Sequence, residues 1–382
     1  MNQPLSIPFT KPYLTGLEKK FILEVLDKPQ IHGDGDFTKK CHAVLEQITG
    51  SQKVFLTNSC TDALEMSALL ADIKEGDEII MPSYTFVSTA NAFVLQGGIP
   101  VFIDIRPDTL NIDENKIEEA ITPQTKAIVC VHYAGVSCEM DTINRIAKKH
   151  NLLVIEDAAQ AIGSFYKNKP LGNVSDLGAF SFHGTKNITS AEGGALLVND
   201  PNLVDRAEIV WVKGTNRKNF LLGKVSKYGW VDKGSSYLPS EIMAAFLYAQ
   251  LQSLDEITTQ RIKIWNSYHQ KLEILEQQGK LRRPIVPKEC DHNAHIYYIL
   301  LPNHQQREAL IQFLKEKGIQ ADSHYLPLHS SVGGQKFAKT HGVFSVTDRI
   351  SDTVLRLPLY TALREQEIDY IIDALTECVN AF

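Results

Sequence analysis

Short apolar runs alternate with longer amphipathic stretches through the first half of the chain, and that rhythm leaves few folds open to it. KVFLT precedes TDALEMSALLADI, EIIMP precedes STANAFVLQG, VFIDI precedes ENKIEEAI, AIVCVHY precedes MDTINRIAKKH, and LLVIEDA follows. Runs this short and apolar read as buried strands, and the stretches between them as amphipathic helices. Strand and helix in strict alternation predict an α/β fold, a mostly parallel sheet with helices on both faces. The rhythm changes near residue 251, where the long polar stretch LQSLDEITTQRIKIWNSYHQKLEILEQQG is followed by HIYYILL and the helical QQREALIQFLKEKG. A large domain over 1–250 and a smaller α+β domain over 251–382 are therefore expected.

Composition narrows the classes of function. At 382 residues, 43% hydrophobic and 22% charged, the chain can bury a large core and exceeds the usual single domain. A net charge of -6 gives no basic field for nucleic acid, and no apolar run approaches the ~20 residues of a membrane span. MNQPLSIPFTKPYL has no charged segment leading into an apolar one, so no export signal is expected. The cysteines at 41, 60, 130, 138, 290 and 378 form neither CxxC pairs nor a dense framework, which suits reduced thiols in a cytoplasmic protein without a metal site.

Open parallel sheets bind ligands at the carboxyl ends of their strands, so the residues after each apolar run carry the chemistry. After KVFL comes TNSCTDALEM, where Ser59, Cys60 and Thr61 start a helix whose free N–H groups and hydroxyls face an anion. For that segment alone, a plain N-cap by Ser59 or Thr61 is the simpler reading. After LLVI comes EDAAQ, which puts Asp157 and Gln160 at a strand end in apolar company. A carboxylate there is costly unless a cation meets it; a protonated pyridine nitrogen would serve, as would a helix cap or a lysine. After EIIMP comes SYTFVSTANA, where Phe86 either lies flat against a planar ring or packs in the core. Lys186 of SFHGTKN stands on a tight connection between LGAF and EGGALLVND. Desolvation there would lower its pKa and make the amine a nucleophile and proton carrier. Phosphate cradle, ring partner, pyridinium carboxylate and desolvated lysine together describe a site for pyridoxal 5′-phosphate.

The stretches HGDGDFTKKC, MPSYTFVSTANAFVL, RPDTLNIDE, VHYAGVSCEMDTI, IEDAAQ, SFHGTKN, EGGALLVND, KGTNR, GSSYLPSE and PLH extend over essentially the whole chain. On them the chain resembles the sugar aminotransferase branch of the fold-type I pyridoxal phosphate enzymes. The resemblance implies Lys186 as the Schiff-base lysine, Asp157 at the pyridine nitrogen, Gln160 near the ring hydroxyl and Phe86 stacked on the ring. It places Ser59, Cys60, Thr61 and Ser181 around the phosphate. It further implies glutamate as amino donor, a dTDP-linked ketosugar as acceptor, and a homodimer or larger even oligomer with sites completed by a neighbour. Lys213, Asn216 and Arg217 of KGTNR are candidate partners of the sugar-nucleotide diphosphate, with a solvated loop as the alternative. Tyr325 and His329 of HYLPLH are candidates for the sugar pocket, although a histidine beside prolines is commonly packed; His183 reads as structural. Two departures from the family pattern stand out. Cys60 replaces a glycine, and GSSYL carries Ser236 and Leu238 where many relatives have Asn and Arg. In those relatives the Asn reaches the phosphate from the neighbouring subunit, which makes Ser236 the candidate for that contact. Retention of Lys186, Asp157 and the phosphate segment together argues against a non-catalytic regulator with this fold.

Overall fold

The computed structural model describes residues 6–382, so the first five residues of the leader and domain readings lie outside the described residues. An eight-stranded sheet forms the centre. Its strands are β1 (Lys53–Thr57), β2 (Glu78–Pro82), β3 (Ile99–Ile103), β4 (Thr125–Val131), β5 (Leu153–Asp157), β8 (Leu177–Ser181), β9 (Gly194–Val198) and β12 (Lys339–Thr340), in the order β1-β9-β8-β5-β4-β2-β3-β12. Two short strands, β6 (Phe165–Tyr166) and β7 (Lys169–Pro170), make a small sheet with β10 (Cys290–Asp291), and β11 (Tyr297–Leu300) pairs with β13 (Val354–Leu357).

Within the large sheet β9 runs antiparallel to both neighbours, while the remaining pairs are parallel. That reversal makes β8 and β9 a hairpin whose loop stays at the carboxyl edge, beside the end of β5. Side chains alternate between two cores along the strands. Val54, Leu56, Ile128 and Cys130 enter one, and Phe55, Ala127 and Val129 the other. Burial on both faces is why these strands read as continuous apolar runs.

Three expectations are corrected. ENKIEEAI forms two 3₁₀ turns, Glu114–Lys116 and Glu118–Ala120, in place of a helix. The Asp113 side chain accepts from Asn115 N and starts a tight turn, and the buried Ile117 and Ala120 stand three residues apart, the 3₁₀ spacing. The long polar stretch is divided between the helices Leu254–Lys271 and Glu273–Gln277. Along the first of these the packing changes hands: Ile257 joins the sheet core, whereas Ile264, Trp265 and Tyr268 join a separate core with Ile299, Leu314, Leu355 and Leu375. Ile7 enters that second core too, donating to the Gly318 carbonyl at 2.9 Å and accepting from Gln320 N at 3.0 Å. The N-terminal segment thus packs with the C-terminal residues, which a contiguous span from residue 1 did not foresee.

Two of the quoted motifs meet at Glu241, which is 2% exposed. Its carboxylate accepts from Gly35 N at 3.0 Å, Phe37 N at 2.7 Å and Thr38 N at 3.1 Å, capping the helix Asp36–Thr49 from a distance. Gly35 permits this, since a Cβ there would fall 2.5 Å from the Glu241 carboxyl carbon. Removing the carboxylate leaves buried N–H donors unpaired, so Glu241→Ala should cost about 3 kcal/mol, read as a lower urea midpoint. A midpoint equal to the parent's would refute this role.

Candidate active site

The helix Cys60–Leu70 begins where β1 ends. Ser59 is its N-cap, accepting from Asp62 N at 3.1 Å, so the simpler reading holds for that hydroxyl. The N–H groups of Cys60 and Thr61 find no acceptor among the described residues, as expected of a first helical turn. The helix start rests directly on β9: a Cβ on Gly194 would lie 2.4 Å from the Ser59 carbonyl carbon and 2.5 Å from Cys60 N. Only glycine fits there. The Thr61 hydroxyl bonds that of Ser88 at 2.8 Å, tying this helix to Val87–Val94, whose N-cap position is Phe86. Phe86 is 58% exposed and lines the cavity, so it is no core residue.

Asp157 closes β5 and is 6% exposed. Its Oδ2 accepts from the Thr89 hydroxyl at 2.7 Å and its Oδ1 from Ala159 N at 3.2 Å, and among the described residues no cation pairs with it. Burial raises its pKa, opposed by the Thr89 hydrogen bond and the charge of Lys186. One turn on, Gln160 Oε1 accepts from Ala134 N at 2.7 Å while Nε2 donates to the Tyr325 hydroxyl at 2.9 Å, which fixes its amide.

Lys186 stands in the loop between β8 and β9, its N–H donating to the His183 carbonyl at 2.9 Å. The loop is closed by Phe182 N on the Gly193 carbonyl and Ser190 N on the Phe182 carbonyl, both at 2.8 Å. Lys186 keeps partial exposure because it faces the cavity, yet the surrounding protein desolvates its ammonium and lowers its pKa; Asp157 and Cys60 oppose that shift. A cavity of about 910 Å³ brings Lys186 together with Ser59, Cys60, Thr61, Phe86, Asp157, Gln160, Ser181 and Tyr325.

Other predicted residues are not brought there. Lys213, Asn216, Arg217 and Ser236 lie outside this cavity, on a flap where Val212 pairs with Ser236 and Thr215 with Trp230. Asn216 Oδ1 accepts from Gly229 N at 2.8 Å, and the carbonyl of exposed Ser236 accepts from Asn58 Nδ2 at 3.1 Å. His329 also lies off the cavity. Its Nδ1 is 2.7 Å from Ser83 Oγ, its ring stacks on Phe344 at 4.0 Å, and its Nε2 is 3.3 Å from Asp348. It pins its loop to the end of β2, the packed role and not the sugar-pocket one. His183, read as structural, instead stands exposed on the cavity wall, with Nδ1 2.9 Å from the Thr185 hydroxyl.

Around Tyr325, sequence reasoning missed most of one wall of the cavity. Arg356 on β13 donates to the Ser323 carbonyl at 2.8 Å, and buried Arg261 donates to the carbonyls of Ala294 and His295 at 3.1 and 2.7 Å. His324 stacks on Tyr325 at 3.7 Å. No motif marks the two arginines, and His324 opens the HYLPLH stretch without having been singled out in it. Thr85 and Thr89 were missed as well, although their i, i+4 spacing at a helix start was visible. The assembled site offers a phosphate-sized set of free N–H groups, an aromatic at its mouth, a buried carboxylate lacking a cation, and a lysine pushed toward its neutral form. A planar, phosphorylated ring that carries a positive charge fits those donors and acceptors.

Comparison with known proteins agrees. A GDP-perosamine synthase of Escherichia coli O157:H7 is 32% identical over 372 residues, covering 97% of this chain and 98% of that one. Among solved structures, Helicobacter pylori PseC, an aminotransferase involved in pseudoaminic acid biosynthesis, superposes with a TM-score of 0.90 at 28% identity, covering 99% of this chain and 100% of that one. Spr1654 of Streptococcus pneumoniae in its PLP form gives a TM-score of 0.90 at 26% identity, covering 99% of each chain. Residues 12–376 match the DegT/DnrJ/EryC1/StrS aminotransferase family. The chain belongs to that family, and it is a pyridoxal phosphate-dependent aminotransferase of fold-type I.

Proposed function

We propose that this enzyme moves the amino group of glutamate to C4 of a dTDP-linked 4-keto-6-deoxyhexose, giving dTDP-4-amino-4,6-dideoxygalactose for surface polysaccharide synthesis. The observation that carries the reading is how closely GTNR, KYGW and GSSYL resemble the dTDP-4-amino-4,6-dideoxygalactose transaminase of enterobacterial common antigen synthesis. A nucleotide-linked sugar is supported independently by the relative that is a GDP-perosamine synthase. That relative also favours a second reading, a GDP-linked acceptor. Amination at C3, or at C4 with the gluco configuration, belongs to the same class of chemistry and differs only in how the hexose lies in the pocket.

In this reading the N–H groups of Cys60 and Thr61 and the hydroxyl of Ser181 hold the phosphate, with Ser59 shaping the turn as N-cap. Phe86 covers one ring face. Asp157 holds a proton at the ring nitrogen, and Gln160, its amide fixed by Ala134 and Tyr325, faces the ring hydroxyl. Bound pyridoxal phosphate supplies a carbonyl for the amine and a sink for the electrons released when a C–H proton leaves. Lys186 would hold the cofactor through Nζ, and once the amine of glutamate displaces it the freed Nζ would take the proton from the α-carbon and pass it to the cofactor carbon that the amine had joined, a task suited to an amine whose pKa burial has lowered. Arg261 and Arg356 give one wall of the cavity positive charge facing the anionic groups of the two substrates, while His324 stays neutral because burial pushes its pKa well down.

The flap completes the reading. Trp230 is 84% exposed, and Leu221 and Val231 are exposed on the same flap, apolar surface of the kind a second copy covers. Lys213, Asn216, Arg217 and Ser236 ride on this flap and, in a homodimer, reach the partner's cavity.

The protein purified with its cofactor should be yellow, and Lys186→Ala should abolish that visible band; turnover at the parent rate in this variant would sink the assignment. Sedimentation should give a dimer or larger even oligomer. Trp230→Asp should shift it toward an inactive monomer, and a fully active monomeric variant would exclude a site shared between copies. The acceptor is settled by NMR of the product made from glutamate and dTDP-4-keto-6-deoxyglucose, where an axial C4 amine is expected. An equatorial amine indicates the gluco product, amination of a 3-keto isomer alone indicates the wrong carbon, and turnover confined to a GDP-linked ketosugar indicates the second reading.

A further inference from the structure

Thr85 and Thr89 form a line of hydroxyls that ends on Asp157. The Thr89 hydroxyl is 2.7 Å from Asp157 Oδ2, and the Thr85 hydroxyl is 2.7 Å from that of Thr89. Both threonines are buried, 2% and 0% exposed. An ionised carboxylate only accepts, so Thr89 gives it its single hydroxyl proton; the Thr89 oxygen then accepts, and Thr85 is left as donor. Both O–H dipoles therefore point at Asp157 and reinforce each other. The geometry follows from local structure. Phe86 occupies the N-cap position of the helix Val87–Val94, Thr89 N donates to the Phe86 carbonyl at 3.2 Å, and the two threonines fall one turn apart on the side facing β5.

Asp157 has little other support. Its contact with Ala159 N, at 3.2 Å, is at the long end for a hydrogen bond. The titratable groups around it are Lys186 from the β8–β9 loop, Cys60 from the helix start, His132 beyond β4 and Tyr325 across the cavity, and none of these donates a hydrogen bond to the carboxylate. The adjacent Glu156 is engaged elsewhere, accepting from Gly172 N at 2.7 Å and Val174 N at 2.8 Å and lying 2.9 Å from His132 Nε2. We propose that the Thr85–Thr89 pair is a positioning device that keeps the buried Asp157 ionised and aimed at the bound ring, so that the ring nitrogen holds its proton across the working pH range. Thr89 acts through Asp157 and so is a positioning residue. The inference rests on the reading of Asp157 as the partner of the ring nitrogen.

Without the hydroxyl donor the carboxylate is a stronger base, so it competes with the ring nitrogen for the one proton they share, and that proton moves from the nitrogen toward Asp157. A charge-assisted hydrogen bond to a buried carboxylate corresponds to about a tenfold to hundredfold change in how that proton is divided.

The test reconstitutes the enzyme with pyridoxal phosphate labelled with nitrogen-15 in the ring and follows the ring-nitrogen chemical shift against pH. Thr89→Val should move the part of the curve near neutral pH toward the shift of the unprotonated ring, Thr85→Val should move it the same way by less, and Thr89→Ser should restore the parent curve. Asp157→Asn serves as the reference. If it leaves the curve unmoved, the underlying reading of Asp157 fails; if it moves the curve while Thr89→Val superimposes on the parent, the threonine proposal fails alone. Should Thr89→Val not retain cofactor, Thr85→Val carries the decision, and a parent-like curve for it overturns the proposal.

Discussion

Asp157 is a carboxylate buried at the end of a central strand with no cation paired to it among the described residues, and the architecture of the site turns on that placement. β5 lies between β4 and β8, so its end is flanked by the His132–Ala134 turn on one side and by the start of the Lys186 loop on the other. Burial acts on the two ionisable groups with opposite signs, raising the pKa of Asp157 and lowering that of Lys186. Each group is thereby moved toward neutrality by the same desolvation. A ligand with a positive ring nitrogen and a carbonyl reverses the cost at the acid while exploiting the neutral amine at the base.

The reversed strand β9 brings the other parts into reach. Because it returns antiparallel to β8, the connecting loop never leaves the carboxyl edge of the sheet, and Lys186 stays within the cavity that Asp157 closes. The same strand supports the start of the helix Cys60–Leu70, and the missing side chain of Gly194 sets how closely the two approach. A methyl group there would lift the helix start and move its free N–H groups away from the cavity. One glycine thus couples the anion-binding turn to the lysine loop.

What was legible in the sequence followed from strand ends. Asp157, Ser181 and the Ser59–Thr61 turn stand at or just after apolar runs, so strand topology alone carries them to one edge, where the cavity gathers them. The arginines of the opposite wall were not legible, because Arg261 and Arg356 reach the cavity through the packing of the second core, which no local pattern encodes. His329 was misplaced for a related reason: HYLPLH looks uniform in sequence, but the chain carries Tyr325 into the cavity and turns His329 back onto Ser83 and Phe344. The place of Ile7 was not legible either, because its pairing with residues 318–320 joins segments far apart in the chain. Thr89 was hidden by its chemistry. Hydroxyls at helix starts are usually caps, and only the proximity of β5 gives this one a different acceptor.

The flap gives a physical reason why the remaining motif residues lie apart from the cavity. Lys213, Asn216, Arg217 and Ser236 are held in a compact unit by the Val212–Ser236 and Thr215–Trp230 pairings and the bond from Gly229 N to Asn216. That order is maintained although Trp230, Leu221 and Val231 project outward, where exposed apolar surface gains nothing in water. In the proposed homodimer, covering it buries the tryptophan and delivers the flap's polar residues to the neighbouring copy by the same movement, which links assembly to completion of the substrate pocket.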